Sequence, residues 1–194
     1  MENKKRIAVL VAEGFEEMET VTIVYILRRG NMVCDLVSIE GIDVVGAHNI
    51  KVRTDLLFDQ NLMDYDMVVL PGGLAGAMKL AAHPGVIALL KDRDERQEWI
   101  GAICAGLRVA DTAGLLDHRN YTAYPGYEKR ADAKGNFVDE LVVVDDRLIT
   151  SRGPATVYEF TYAILDLLGG DSAPIKDRML YPDAFIRNGG NDHA

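Results

Sequence analysis

Trp99-Ile100-Gly101-Ala102-Ile103-Cys104-Ala105-Gly106 passes from an apolar run to a cysteine followed by two residues with almost no side chain. The apolar part has the continuity of a buried strand, and the segment from Leu107 reads as a helix. Cys104 therefore falls where the chain must turn sharply from strand into helix. Its sulfur lies near the free N–H groups of a helix N-terminus, which together with the helix dipole favour a thiolate. Small neighbours leave room for a substrate. The plainer alternative is a buried cysteine serving as a small hydrophobe.

The flanking sequence repeats the strand-to-helix pattern. Residues 7–12 form a continuous apolar run, the mark of a strand covered on both faces. Residues 16–29 carry Val21, Val24, Tyr25 and Leu27 at helical spacing, with acids before bases and Gly30-Asn31 as a stop. Residues 32–38 complete a βαβ unit with a right-handed crossover. Residues 42–47 and 50–54 read as a hairpin inserted on the sheet around His48-Asn49. Residues 66–70 form another apolar strand ending in Pro71-Gly72-Gly73, and helices follow over 75–82 and 86–96. Beyond Gly114 the pattern is irregular, with short strands expected at 121–124, 137–138, 141–144 and 147–150. A helix over 155–168 and a docked apolar tail follow. The expectation is one domain over 1–187 with a disordered tail over 188–194. The sum is an α/β doubly wound, mostly parallel sheet, whose ligand site lies beyond the carboxyl ends of the strands.

The chain has 194 residues, enough for a sizeable core, and its net charge of −9 argues against a face for nucleic acid. Neither of its 2 cysteines suggests a disulfide framework, and free thiols fit a reducing, cytoplasmic compartment. No apolar span is long enough for a membrane helix or a signal segment. A phosphate loop, a G-x-G-x-x-G and a G-x-S-x-G are all missing. His48, His83, His118 and His193 show no metal-ligand spacing, so no metal site is expected.

The strand-end rule gathers three distant pieces at one rim. The acids Glu13, Glu16, Glu17 and Glu19 follow the first strand, Pro71-Gly72-Gly73 the strand ending at Leu70, and Cys104 the strand ending at Ile103. Most of the acids are explained by a helix N-terminus, but one turned towards Cys104 would have a raised pKa and could donate a proton. The glycines make either a tight turn or backbone donors for an oxyanion.

Four segments together resemble the ThiJ/PfpI superfamily, closest to the branch of the parkinsonism-associated deglycase. They are Gly14-Phe15-Glu16-Glu17-Met18-Glu19-Thr20-Val21, Tyr65-Asp66-Met67-Val68-Val69-Leu70-Pro71-Gly72-Gly73, Ala102-Ile103-Cys104-Ala105-Gly106 and Thr150-Ser151-Arg152-Gly153-Pro154. The resemblance implies a flavodoxin-like homodimer with Cys104 as nucleophile at a strained elbow. It implies Glu19 as a buried, protonated carboxyl on the sulfur, and Gly72, Gly73 and Ala105 around an anion pocket. The activity it implies is cofactor-independent conversion of small 2-oxoaldehydes such as methylglyoxal, or deglycase chemistry. The alternative it carries is a redox sensor whose cysteine oxidises to sulfinic acid, with a holdase role. Two departures narrow this. Ala105 stands where protease-type relatives have histidine, so a Cys–His protease is not expected. Tyr124 replaces the branch's pocket histidine, and His48 aligns with an arginine supplied by the partner subunit.

Overall fold

The computed structural model describes residues 4–129 and 134–186. The expected disordered tail at 188–194 lies outside the described residues. β1 (Arg6–Val11), α1 (Glu17–Arg29) and β2 (Val33–Ser38) open the chain as the parallel unit expected from the sequence. β3 (Asp43–Val45) and β4 (Lys51–Arg53) pair antiparallel as a ribbon of their own rather than on the main sheet. β5 (Leu56–Leu57), absent from the sequence reading, takes the edge beside β2. Two residues are too few to show periodicity, and both are exposed.

β6 (Met67–Leu70) leads to α2 (Leu74–Ala82) and α3 (Pro84–Glu95), and β7 (Trp99–Ile103) leads through a single 3₁₀ turn to α4 (Leu107–Thr112). His83 is half-buried. It caps α3 by accepting from Val86 N at 3.3 Å and packs edge-on against Phe58. β8 (Asn120–Tyr121) and β9 (Asn136–Phe137) form a second small ribbon. β10 (Val142–Asp145), β11 (Leu148–Ser151) and α5 (Val157–Leu167) follow. The apolar tail docks as two short helices, α6 (Ala173–Arg178) and α7 (Tyr181–Ile186).

The fold is a flavodoxin-like, mostly parallel seven-stranded sheet in the order β10-β11-β7-β6-β1-β2-β5, antiparallel only at β10. Strand β1 shows why its sequence is apolar throughout. Ala8 and Leu10 enter the core under α2, α3 and α4, while Ile7, Val9 and Val11 enter the one under α1 and α5. A strand clothed on both faces has no polar side to display.

Candidate functional site

β1, β6 and β7 lie side by side and parallel, so their carboxyl ends open onto one rim. The turns beyond them are stitched together: Glu16 N donates to Gly72 O at 2.9 Å, and Gly76 N to Gly14 O at 3.3 Å. Cys104 follows β7 directly and takes φ 56°, the left-handed region. For a residue with a Cβ this costs about 1–3 kcal/mol and is held only where the surroundings over-determine it. Ile103, extended and fully buried, fixes the approach, and the 3₁₀ turn Cys104–Gly106 fixes the exit.

Glu19 on α1 is fully buried. Its Oε2 accepts from Gly72 N at 2.6 Å, whereas Oε1 has no hydrogen-bond partner. Burial raises its pKa to about 7, against the pull of the Gly72 amide and of Cys104 in the other direction. Glu17, also buried, serves a different purpose. It receives the His48 amide at 2.6 Å and ring Nδ1 at 2.9 Å, and so fastens α1 to the β3–β4 turn. Burial raises its pKa, but the bonds from His48 outweigh that and hold it below the usual carboxylate value.

Gly72 is the hinge of the arrangement. A Cβ there would stand 2.5 Å from Glu19 Oε2 and 3.1 Å from Cys104 Sγ, so only glycine lets the backbone lie against both. The sulfur differs from the thiolate expected of a helix N-terminus. Burial and the charge of Glu19 push its pKa up to about 12, although the Ala105 N–H draws it down. Protonation of Glu19 removes that charge, so the two groups titrate as a pair rather than singly.

A cavity of about 670 Å³ opens beside Cys104, lined among others by Glu16, Gly73, Ala105, Arg108, Tyr124 and Tyr127. Gly73 N has no acceptor among the described residues. Tyr124 is exposed on the wall, and its ring rests beside Gly153. The structure thus brings Cys104, Glu19, Gly72, Gly73, Ala105 and Tyr124 together. His48 pairs with Glu17 of its own chain and is not among the described residues lining that chain's cavity. Sequence reasoning missed Arg108 and Tyr127, although Arg108 stands four residues after Cys104, the spacing of one helical turn.

Glu16, Glu17 and His48 offer ligand atoms within 4.8 Å of one another, the one such group among the described residues. Hydrogen bonding between Glu17 and His48 already accounts for their approach.

An α/β domain with a strained cysteine at a strand-to-helix elbow, backed by a buried carboxyl, is the class that fold and site define. Residues 5–167 match the model of the DJ-1/PfpI family, and the chain belongs to that family. It is 34% identical over 191 residues to the Parkinson disease protein 7 homolog of Danio rerio, covering 92% of this chain and 98% of that one. It is 36% identical over 173 residues to protein DJ-1 homolog B of Arabidopsis thaliana, covering 87% of this chain but only 39% of that longer protein. Glutathione-independent glyoxalase DJR-1.2 of Caenorhabditis elegans is 32% identical over 168 residues, 86% of this chain and 90% of that one. The crystal structure of Drosophila melanogaster DJ-1beta superposes with a TM-score of 0.85 at 31% identity, covering 92% of this chain and 98% of the other.

Proposed function

We propose that the protein is a cofactor-independent, cysteine-dependent enzyme acting on small 2-oxoaldehydes such as methylglyoxal, in the manner of a glyoxalase or deglycase. The observation that carries this is the placing of Glu19, Gly72 and Cys104 against one another beneath an open cavity. A relative named as a glyoxalase adds support. The Cys104 sulfur attacks the aldehyde carbon and its proton passes through Glu19 to the carbonyl oxygen, giving a hemithioacetal. The Gly73 and Ala105 amides hold the oxygen as charge develops on it. Glu19 then takes the proton from the carbon bearing sulfur and an enediol forms. Return of a proton to the neighbouring carbon gives a 2-hydroxy thioester. Water releases the hydroxy acid and restores the thiol. Tyr124 contributes a hydrogen-bonding group on the cavity wall.

Cys104→Ala is expected to abolish methylglyoxal turnover at protein concentrations where the wild type is active, and equal residual rates would sink the proposal. A second reading is a redox sensor, favoured by the same carboxyl, which in its acid form can donate a hydrogen bond to a sulfinic oxygen. Selective gain of two oxygens at Cys104 under mild peroxide, without carbonyl turnover, would favour it. The chain acts as a homodimer in the cytoplasm, without nucleic-acid or membrane partners. No helix among the described residues is long and apolar enough to cross a membrane.

A further inference from the structure

Resting on the cysteine-centred reading above, we propose that Arg108 is a specificity-determining residue that selects 2-oxoaldehydes carrying a carboxylate. Arg108 lines the same cavity as Cys104 and is half-buried there. The other half-buried or buried arginines do not line this cavity, and of them Arg6 rests over the Tyr65 ring at 4.3 Å while the remaining three are ion-paired. Arg93 pairs with Glu98 at 3.1 Å, Arg119 with Asp94 at 2.7 Å, and Arg152 with Asp139. The Arg108 guanidinium makes no hydrogen bond or ion pair among the described residues. Its one contact of that kind is with the Tyr127 ring, whose centroid is 6.0 Å from Cζ. A half-buried cation on a cavity wall beside an aromatic ring, with no anion among the described residues, is suited to receive one.

The neighbouring carboxylates do not fill that role. Asp111, one turn further along α4, accepts from Tyr127 Oη at 2.9 Å. Glu16, on the same cavity, faces the His48 ring at 3.8 Å. That ring is held by Glu17 with its pKa raised, first by the hydrogen bond and then by the charge of Glu16. Glu16 and His48 thus face one another, and no ion pair joins Glu16 to Arg108 among the described residues.

The chemistry of the ligand follows from the charge count. Arg108 is the one lysine or arginine among the described residues lining the cavity. A single guanidinium fork matches a carboxylate with two parallel N–H···O bonds. A phosphate monoester carries about −1.5 to −2 charge at neutral pH and calls for a second cation. The favoured substrate therefore has an aldehyde end for Cys104 and a carboxylate end for Arg108, with a short carbon chain between them.

The test compares 4,5-dioxopentanoate, which has this form, with methylglyoxal, which lacks the carboxylate. Wild type is expected to favour the carboxylated compound by about tenfold in kcat/KM, the scale of one charge-assisted hydrogen-bonded pair. Arg108→Ala should erase the preference mainly through KM, and Arg108→Lys should keep part of it. An unchanged preference in Arg108→Ala overturns the proposal. A second measurement needs no turnover: the ratio of Cys104 alkylation rates by iodoacetate and iodoacetamide, followed by peptide mass spectrometry. Arg108→Ala should lower that ratio several-fold, whereas the same ratio in both proteins overturns the assignment. Loss of the ratio with neither dicarbonyl consumed would retire the enzyme reading and leave the carboxylate receptor standing.

Discussion

Cys104 and Glu19 hold their protons jointly, and the pH behaviour of each follows from that. Burial lifts Glu19 to about 7, while burial and the Glu19 charge lift Cys104 to about 12. Below about 7 the pair holds two protons and the sulfur is a thiol. Above it the pair holds one, mainly on the sulfur, with the thiolate–carboxylic acid form as its minor arrangement. The rate of Cys104 alkylation by iodoacetamide is therefore expected to rise as pH passes about 7. In Glu19→Gln that step should vanish, leaving a single sulfur ionisation below the wild-type value of about 12, because the repelling charge is gone. A single step near about 8.5, the same in both proteins, would contradict the pairing. Stability carries the same signature with a definite sign. The folded pKa of Glu19, about 7, exceeds its unpaired value of 4.5, so between them the folded state binds more protons. Stability from this group is full below the lower value and is lost as pH rises through the upper one, by about 3 kcal/mol at most. Urea unfolding should thus show wild type losing more stability than Glu19→Gln between about pH 5 and about pH 8. Equal losses would mean that Glu19 is ionised in the fold throughout.

The strand-to-helix turns carry the site, and their glycines are demanded by contact. At Gly106, between the 3₁₀ turn and α4, a Cβ would stand 2.1 Å from the Leu70 carbonyl oxygen and 2.8 Å from that of Pro71. Neither is the movable end of a side chain. Gly106→Ala is expected to lower stability by more than about 2 kcal/mol, read as a fall in the urea midpoint. A change within about 0.5 kcal/mol would show that the elbow yields. These turns were legible in the sequence because each follows an unbroken apolar run: residues 7–12, 67–70 and 99–103. The rest was harder to read for physical reasons. β5 and β8 are two residues long, below any period, and are held by tertiary pairing. His83 looked like loop punctuation but caps α3, a role set by geometry and not by composition. Which acid turns inward was equally hidden. Glu17 and Glu19 are both buried, and only the packed structure separates the one that pins a turn from the one that meets the sulfur.

At the scale of the whole molecule, α1 has work on two faces. Inward it delivers Glu19 to Cys104. Outward it leaves Met18, Val21 and Tyr25 each nearly half exposed, at spacings of three and four residues that place them on one stripe. Ile50, on the turn that Glu17 fastens to α1, is 56% exposed and extends the apolar surface. Isolated exposed hydrophobes are ordinary, but three at helical spacing on one face suit burial against another chain, and the homodimer proposed above would cover them. The sequence showed these residues only as part of a helical period, where an apolar face for the core and one for a partner look alike. With a second copy as the partner, covering the exposed half of each side chain contributes about 0.7–1.5 kcal/mol, and an aspartate in the stripe instead brings a charge that must be desolvated. Wild type should therefore sediment at twice the chain mass, and Val21→Asp at the chain mass with its urea midpoint nearly kept. A wild type that sediments as a monomer, or a variant that stays paired, would assign the stripe to something other than self-association. The arrangement also predicts a coupling between assembly and chemistry. Because the same helix carries Glu19, separating the protomers should alter the pH at which Cys104 alkylation rises, and comparing that profile in wild type and Val21→Asp measures how far the interface sets the pKa of the pair.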